Sequence, residues 1–464
     1  MVSTDDQTWG QAREMNALEA LMWRAEGDPR LRSTIVSLEL LDTTPDWDRF
    51  VAACDWATRL VPRFRQRVVE PALGLGMPAW VVDRDFDLHY HVRRVRLAGD
   101  GTWEDALRVA EQIAMTPFDK ARSPWEAVLI EGLPDGQCAF LLKLHHSTTD
   151  GMGGVQLLGM LHSTTREHNA AKPQPAPLPP ERTTSTDVLA RQLVKDATAV
   201  PRAVAGGLGR LGALRRPDRA ARDAAAYASS LQRVLADPDA SGSPLLAERS
   251  LSWRFATLDV PFAPLRAAAK AVGGSLNDAF LAALLGGYRR YHEGYGMAIG
   301  AIPIAVPISV RREGDPAGGN AFAAARLAAP ADEPDPVRRM QEIGRMMRVA
   351  REERAIAAVG VVAPALSRLP SPLISQLAGN MTKANDLQAS NVPGLREERY
   401  LAGAKILKAY PFAPLPGCAA MITLLSHLDG CCIGINFDPA AITDEELFVQ
   451  SLREGFDEVM AVAA

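Results

Sequence analysis

A chain of 464 residues with a formal net charge of −4 is long enough for two or three core-forming units, and it lacks the basic excess of a dedicated nucleic-acid binder. Charged residues make up 23% and hydrophobic residues 47%, the balance of a soluble globular protein. The five cysteines (Cys54, Cys138, Cys418, Cys431 and Cys432) have no metal-ligand spacing, so they read as reduced residues of an intracellular protein without a metal centre.

The opening MVSTDDQTWGQ has neither the basic nor the apolar region of a signal peptide, so none is expected. Residues 13–26, REMNALEALMWRAE, have helical spacing, and 33–42, STIVSLELLD, alternate as a strand does. The segment from Trp47 to Val69 reads as a helix that becomes extended near RFRQRVV. WEAVLIEGL and QCAFLLKLHH flank Pro134-Asp135-Gly136, which predicts a hairpin. The run GGVQLLGMLHS after Gly151 returns to helical spacing. The sequence HHSTTDG, 145–151, therefore lies in a strand-to-helix loop.

Residues 171–187, AKPQPAPLPPERTTSTD, are Pro- and Thr-rich and read as a linker, with helix expected from 188 to about 236. A second α/β region starts near Arg249. SWRFATLDV and IPIAVPISV read as strands, with two helices, PLRAAAKAVG and NDAFLAALLGGYRRYH, between them. KILKAYPFAP, AAMITLLSH and CCIGINFDP are strand-like. Residues 355–379 are long enough to span a membrane, but Pro364, Arg368, Pro370 and Pro372 interrupt them, so short amphipathic helices are expected. The expected division is a first lobe at 1–170, a linker and helical crossover at 171–248, and a second lobe at 249–464.

The motif carries the chemistry. Neighbouring strand side chains point to opposite faces, so His145 and His146 cannot both serve one site. An imidazole at a strand end can act as a general base near neutral pH. Asp150 would lock the loop, and Gly151 permits a tight turn there. No Gly-x-Ser-x-Gly elbow or local Cys-His pairing supplies a nucleophile, which favours direct transfer over a covalent intermediate.

HHSTTDG resembles the active-site motif of the chloramphenicol-acetyltransferase-like superfamily, which includes peptide-synthetase condensation domains. The remainder resembles the bacterial wax ester synthase/diacylglycerol acyltransferase family. The resemblance runs through PRFRQRV (62–68), RSPWEAVLIEGL (122–133), SLNDAFLAAL (275–284), VPISVR (306–311), GGN (318–320), SNVPG (390–394) and LLSHLDGCCIGINFDP (424–439). It implies an α/β (α+β) fold of two chloramphenicol-acetyltransferase-like lobes, each a mixed sheet flanked by helices, with an active-site channel between them. It also implies an acyl-CoA-dependent O-acyltransferase with His146 as base, forming triacylglycerol or wax ester from diacylglycerol or a long-chain alcohol. Acyl-CoA would be a substrate, and no cofactor or metal is implied. His145 would pack locally. Asp150 would pair with an arginine from an early strand, Arg65 or Arg67. Asn277, Ser390, Asn391, Trp125 and Thr149 are candidate substrate contacts, with a helix N-cap as the competing role for Asn277 and a packing anchor for Trp125.

Three departures from the family pattern bear on the acceptor: the polar loop Ser147-Thr148-Thr149, Ser123-Pro124-Trp125 in place of Pro-Leu-Trp, and Ser426-His427-Leu428-Asp429-Gly430 near the end. They keep open a specialised-metabolite acceptor. A non-catalytic lipid-binding paralogue is the reading from another class. GGLGRLG, 206–212, follows no strand and is rejected as a dinucleotide fingerprint. The basic residues Arg191, Lys195, Arg202, Arg210, Arg215, Arg216, Arg219 and Arg222 read as a solvated helix or as a face resting on an anionic membrane or lipid droplet. The expected location is cytoplasmic, with peripheral contact to such surfaces.

Overall fold

The hairpin expected around Pro134-Asp135-Gly136 forms, and it organises the first of two sheets. Asp135 and Gly136 both take positive φ, 56° and 73°, which closes the turn tightly. The computed structural model describes residues 10, 12–169, 171–210, 239–310, 319–352 and 385–463. The expected helices at 355–379, the basic residues after Arg210 and the end of GGLGRLG lie outside the described residues.

The first elements are α1 (Ala17–Ala25), β1 (Thr34–Leu41), α2 (Trp47–Leu60), β2 (Gln66–Val69), β3 (Ala79–Val82), α3 (Leu88–His91), β4 (Val92–Arg96), α4 (Trp103–Met115), β5 (Trp125–Glu131), β6 (Cys138–His145) and α5 (Gly151–Leu161). After the Pro-rich stretch come α6 (Ser185–Arg210), β7 (Arg254–Pro261), α7 (Phe262–Ala271), α8 (Leu276–Gly294), β8 (Ile302–Ser309), β9 (Phe322–Ala329) and α9 (Pro336–Glu352). The last are β10 (Leu387–Val392), β11 (Tyr400–Leu401), β12 (Ala404–Phe412), β13 (Ala420–His427), β14 (Gly430–Phe437) and α10 (Glu445–Met460).

Two six-stranded sheets result, with strand orders β11-β12-β1-β6-β5-β4 and β7-β14-β13-β10-β8-β9. Both are mixed. In the first, β4 runs parallel to β5 while β1, β5 and β6 are antiparallel. In the second, β10 runs parallel to β8 and β13, and β14 returns antiparallel. Each sheet buries one face under helices. Phe50 and Ala57 of α2 cover Phe140 and Leu142 in the first lobe. Helix α8, buried along most of its length, packs with Phe448 and Phe456 of α10 on the second. Such two-sided burial explains why β6 reads as a continuous apolar run instead of an alternating one.

The lobes do not follow the linear division at 1–170 and 249–464. Strand β12 leaves the second lobe and pairs antiparallel with β1, from Val36↔Phe412 to Leu41↔Ile406. A third cluster of buried residues joins the sheets, with Phe255 stacked on Phe412 at 4.0 Å between ring centroids. At the same seam a Cβ on Gly434 would lie 2.0 Å from the Pro411 carbonyl oxygen, so only glycine lets β14 approach β12 this closely.

Candidate active site

Strand β6 ends at His145, and the chain then turns through Ser147 and Thr148 into α5. His145 is fully buried. Its Nδ1 accepts the Ser147 N–H at 3.0 Å and lies 2.7 Å from Ser147 Oγ. Its Nε2 stands 3.2 Å from Glu26 Oε1, and the ring packs edge-on against Trp23. Burial opposes ionisation of Glu26, but His145, the Ser33 N–H and Lys120 outweigh it and hold the carboxyl below its ordinary range.

His146 takes the opposite direction, as alternation requires. It lines a cavity of about 520 Å³ between the two sheets, together with Ile35, Ser37, Leu142, Leu144 and Leu158 of the first lobe and Phe322, Ser390, Thr423 and Leu425. Its backbone N–H is tied to Ser33 O at 2.7 Å. Its Nδ1 lies 3.0 Å from Asn320 Oδ1, and Asn320 Nδ2 donates to the His146 carbonyl at 2.7 Å. The second contact fixes the amide orientation, because a carbonyl can only accept. Asn320 Oδ1 is then an acceptor, so His146 carries its proton on Nδ1 and keeps the Nε2 lone pair. Burial pushes the His146 pKa below the ordinary value, against the weaker opposing influences of Asp150 and Asn320. Burial thus favours the neutral imidazole, and Asn320 favours the tautomer with its proton on Nδ1.

Helix α1 holds Asn320 in place. Glu19 Oε1 accepts the Asn320 N–H at 3.1 Å, and Asn16 Nδ2 donates to Asn320 O at 3.0 Å. Gly319 has φ 69° and no room for a side chain beside Glu19 Oε1. Asp150 caps α5 by accepting the Gly153 N–H at 2.8 Å, and its other oxygen accepts the Ala321 N–H at 3.1 Å. The Asp therefore links the motif loop to the second lobe through backbone donors. A Cβ on Gly151 would meet Val392 Cγ2 at 3.0 Å, so glycine lets α5 start against β10.

Several expected contacts fall elsewhere. Arg65 is engaged by Asp55 at 3.1 Å and by Thr58, and its guanidinium lies over Phe86; it ends the short turn Pro62–Arg65 before β2 and is held toward α2. Arg67 lines a recess beside Asp83 and Arg84 and is not brought to Asp150 either. Trp125 is a packing residue. It is 3% exposed, stacks between Phe64 and His91, and donates its indole N–H to Phe64 O at 2.8 Å. Asn277 sits in the first turn of α8 and does not line the cavity, while the N-cap is Ser275, in a capping box with Asp278. Thr149 is fully buried, donates to Asp150 O, and bridges to Gly319.

The motif hydroxyls also turn inward. Ser147 bonds His145, and Thr148 Oγ1 donates to His145 O at 2.7 Å. Their polarity stabilises the loop and does not face a substrate. His427 is buried, with Nε2 3.3 Å from Ile406 O, and does not line the cavity. Ser390 and Asn391 do line it. Asn320 had no role assigned from sequence, although GGN marked its position.

Among the described residues no hydroxyl or thiol hydrogen-bonds to His146, and the cysteines are buried away from the cavity. No cluster of metal-ligating side chains occurs among those residues. The family model for the wax ester synthase/diacylglycerol acyltransferase catalytic domain matches residues 13–280, and the WS/DGAT C-terminal domain matches 318–460. The chain belongs to the wax ester synthase/diacylglycerol acyltransferase family. It is an acyltransferase by that membership. A Mycobacterium tuberculosis (strain H37Rv) relative named for diacylglycerol O-acyltransferase activity is 44% identical over 459 residues, covering 97% of this chain and 92% of its own. Another from that organism is 29% identical, covering 97% and 98%. The wax ester synthase/diacylglycerol acyltransferase from Marinobacter aquaeolei VT8 shares the fold at TM-score 0.63 and 22% identity, covering 97% of this chain and 99% of that one. The first condensation domain of the CDA synthetase shares it at TM-score 0.60 and 17% identity, covering 98% of each chain.

Proposed function

We propose that the protein transfers the acyl group of a long-chain acyl-CoA to the hydroxyl of a diacylglycerol or a long-chain alcohol. The tautomer of His146 set by Asn320 carries this reading, because it leaves a lone pair on Nε2 of a ring that lines the cavity. Nε2 takes the acceptor's proton as its oxygen bonds to the thioester carbonyl carbon. The resulting oxyanion meets the first-turn N–H groups of α5 at Gly151 and Met152, which line the cavity and lack intrahelical partners. Collapse breaks the C–S bond, and the imidazolium returns its proton to the departing thiolate. With no nucleophile hydrogen-bonded to His146 among the described residues, direct transfer needs no covalent enzyme intermediate.

A thiol-release assay with palmitoyl-CoA tests this, with hexadecanol, diacylglycerol and water as acceptors. Release that depends on the hydroxyl acceptor, and is lost in His146→Ala, is expected. Release independent of acceptor, or none, overturns the reading.

Access to lipid is the second element. No described helix is long and apolar enough to cross a membrane. Leu73 and Leu75 project from a loop that meets α6, where Leu193 and Val194 are also exposed. This apolar edge, beside Arg191 and Lys195, suits peripheral contact with an anionic lipid surface. Cosedimentation with anionic vesicles should fall in Leu73→Asp/Leu75→Asp, and unchanged pelleting would count against it.

A further inference from the structure

Asn320 orients His146, and two peptide planes orient Asn320. The plane between Gly319 and Asn320 is held at both edges. Its carbonyl accepts the Asp150 N–H at 3.2 Å, and its N–H donates to Glu19 Oε1 at 3.1 Å. The plane between Asn320 and Ala321 is held likewise. Its carbonyl accepts from Asn16 Nδ2 at 3.0 Å, and its N–H donates to Asp150 Oδ2 at 3.1 Å. A peptide unit is rigid, so two planes pinned in this way fix φ and ψ of the residue between them. Each plane has one anchor in the motif loop and one in α1 or its N-cap. Gly319, at φ 69°, is a permissive joint just before them, so the anchors and not the backbone decide where Asn320 points.

Capping α1 does not by itself call for a buried acid. In α4 the capping box of Thr102 uses Asp105, which is exposed. Glu19 is only 4% exposed. Burial pushes its carboxyl above the ordinary range, and Asp150 adds to the rise, against the N–H groups of Asn16 and Asn320 and the Arg63 guanidinium. A carboxylate buried near a second carboxylate is costly, and what it serves beyond the cap is Asn320. Helix α1 also puts Leu18 and Met22 on the cavity wall, so one element lines the cavity and holds the partner of His146.

We propose that Glu19 is a positioning residue for His146, acting through the Asn320 backbone on the tautomer of the imidazole. The inference rests on the general-base reading of His146. Three donors converge on the Glu19 carboxylate: the Asn320 N–H and Asn16 Nδ2 on Oε1, and the Asn16 N–H on Oε2. An amide in its place sets its oxygen where two donors meet and its NH2 group against the Asn16 N–H. Glu19→Gln therefore loses the capping contact and keeps the hold on Asn320, whereas Glu19→Met loses both.

That difference separates positioning from capping. Turnover of palmitoyl-CoA with hexadecanol is measured beside the His146 tautomer. The tautomer is read from proton–nitrogen correlation spectra of histidine-labelled protein, with the His146 signals assigned by their absence in His146→Ala. Glu19→Met should lower kcat roughly tenfold with KM little changed, and its imidazole should populate both tautomers. Glu19→Gln should recover most of the rate and the single tautomer. Equal loss in the two variants would make Glu19 a helix cap only. A folded Glu19→Met with wild-type kcat and tautomer would overturn the proposal outright. Should Glu19→Met not fold, Gly319→Ala displaces the carboxylate from the other side, because its Cβ would stand 2.9 Å from Glu19 Oε1. Mixed tautomers in that variant support the proposal, and a retained single tautomer overturns it. If wild type does not turn over, acyl transfer fails, while the tautomer comparison, which needs no substrate, still decides the role of Glu19.

Discussion

Asn320 of the second lobe holds the Nδ1 proton of His146 at 3.0 Å and donates back to the His146 carbonyl at 2.7 Å. A residue in one lobe thus sets the tautomer of the proposed base carried by the other. Asn320→Ala removes that control, and imidazole then samples the tautomer with its proton on Nε2. The expected result is a ~10²-fold fall in kcat with KM little changed. Asn320→Asp places a carboxylate at Nδ1 and should move the acid limb of the pH–rate profile upward. A purely structural role would leave that limb in place.

His146→Ala should lower kcat by about 10²–10⁴-fold while circular dichroism and the unfolding midpoint stay near wild type. The ring lines the cavity and belongs to none of the buried hydrophobic clusters, so its loss removes little core packing. Wild-type-like turnover in a folded His146→Ala protein would end the general-base assignment.

The pH dependence follows from burial. The folded-state pKa of His146 is lowered, and in the proposed mechanism the active form is the unprotonated one. Activity should therefore hold as pH falls past the ordinary imidazole value of about 6.5, and fall only below it. A plot of log kcat/KM against pH checks this. An acid limb centred above about 6.5 would contradict a desolvated, neutral His146.

His145 acts on stability. Its removal opens a space beside Trp23 and strips the buried Glu26 of a partner, at a cost of about 2–4 kcal/mol in denaturant unfolding. Because Glu26 has a lowered folded-state pKa, the contribution is present above the ordinary carboxyl value of about 4.3 and is lost as pH falls through the folded one. The deficit of His145→Ala should therefore be full at pH 7 and shrink in acid. Turnover of the folded fraction should stay near wild type, and a loss matching His146→Ala would remove the division of roles.

Local pattern made much of this legible. Alternation separated the two histidines, Pro134-Asp135-Gly136 announced the hairpin, and motif order implied the lobes. Pairing partners were not legible. KILKAYPFAP reads as a strand whichever sheet receives it, and nothing in its own residues directs β12 to β1. The same limit misplaced Arg65, whose partner Asp55 was as available in sequence as Asp150. The N-cap role offered to Asn277 falls two residues earlier, on Ser275, because its hydroxyl and the Asp278 carboxylate form a capping box. Asn320 was visible in GGN, but its task depends on a contact across 174 positions.

The exchange of β12 makes the seam between lobes testable at one atom. Gly434 pairs with Thr423, which lines the cavity, and faces the backbone of Pro411, which lines it as well. In Gly434→Ala the new methyl would sit 2.0 Å from the Pro411 carbonyl oxygen, where backbone and not a pliant side chain must move. The sheets would separate, at a cost of about 1–3 kcal/mol or more. Gly430→Ala, on the same strand, is the control, because its Cβ would meet nothing nearer than 3.7 Å. Its stability should stay within about 0.5 kcal/mol of wild type. Since the seam also positions the cavity walls, Gly434→Ala should raise KM for long-chain substrates before unfolding begins. Equal unfolding midpoints for the two variants would mean that the lobes are not held at this contact.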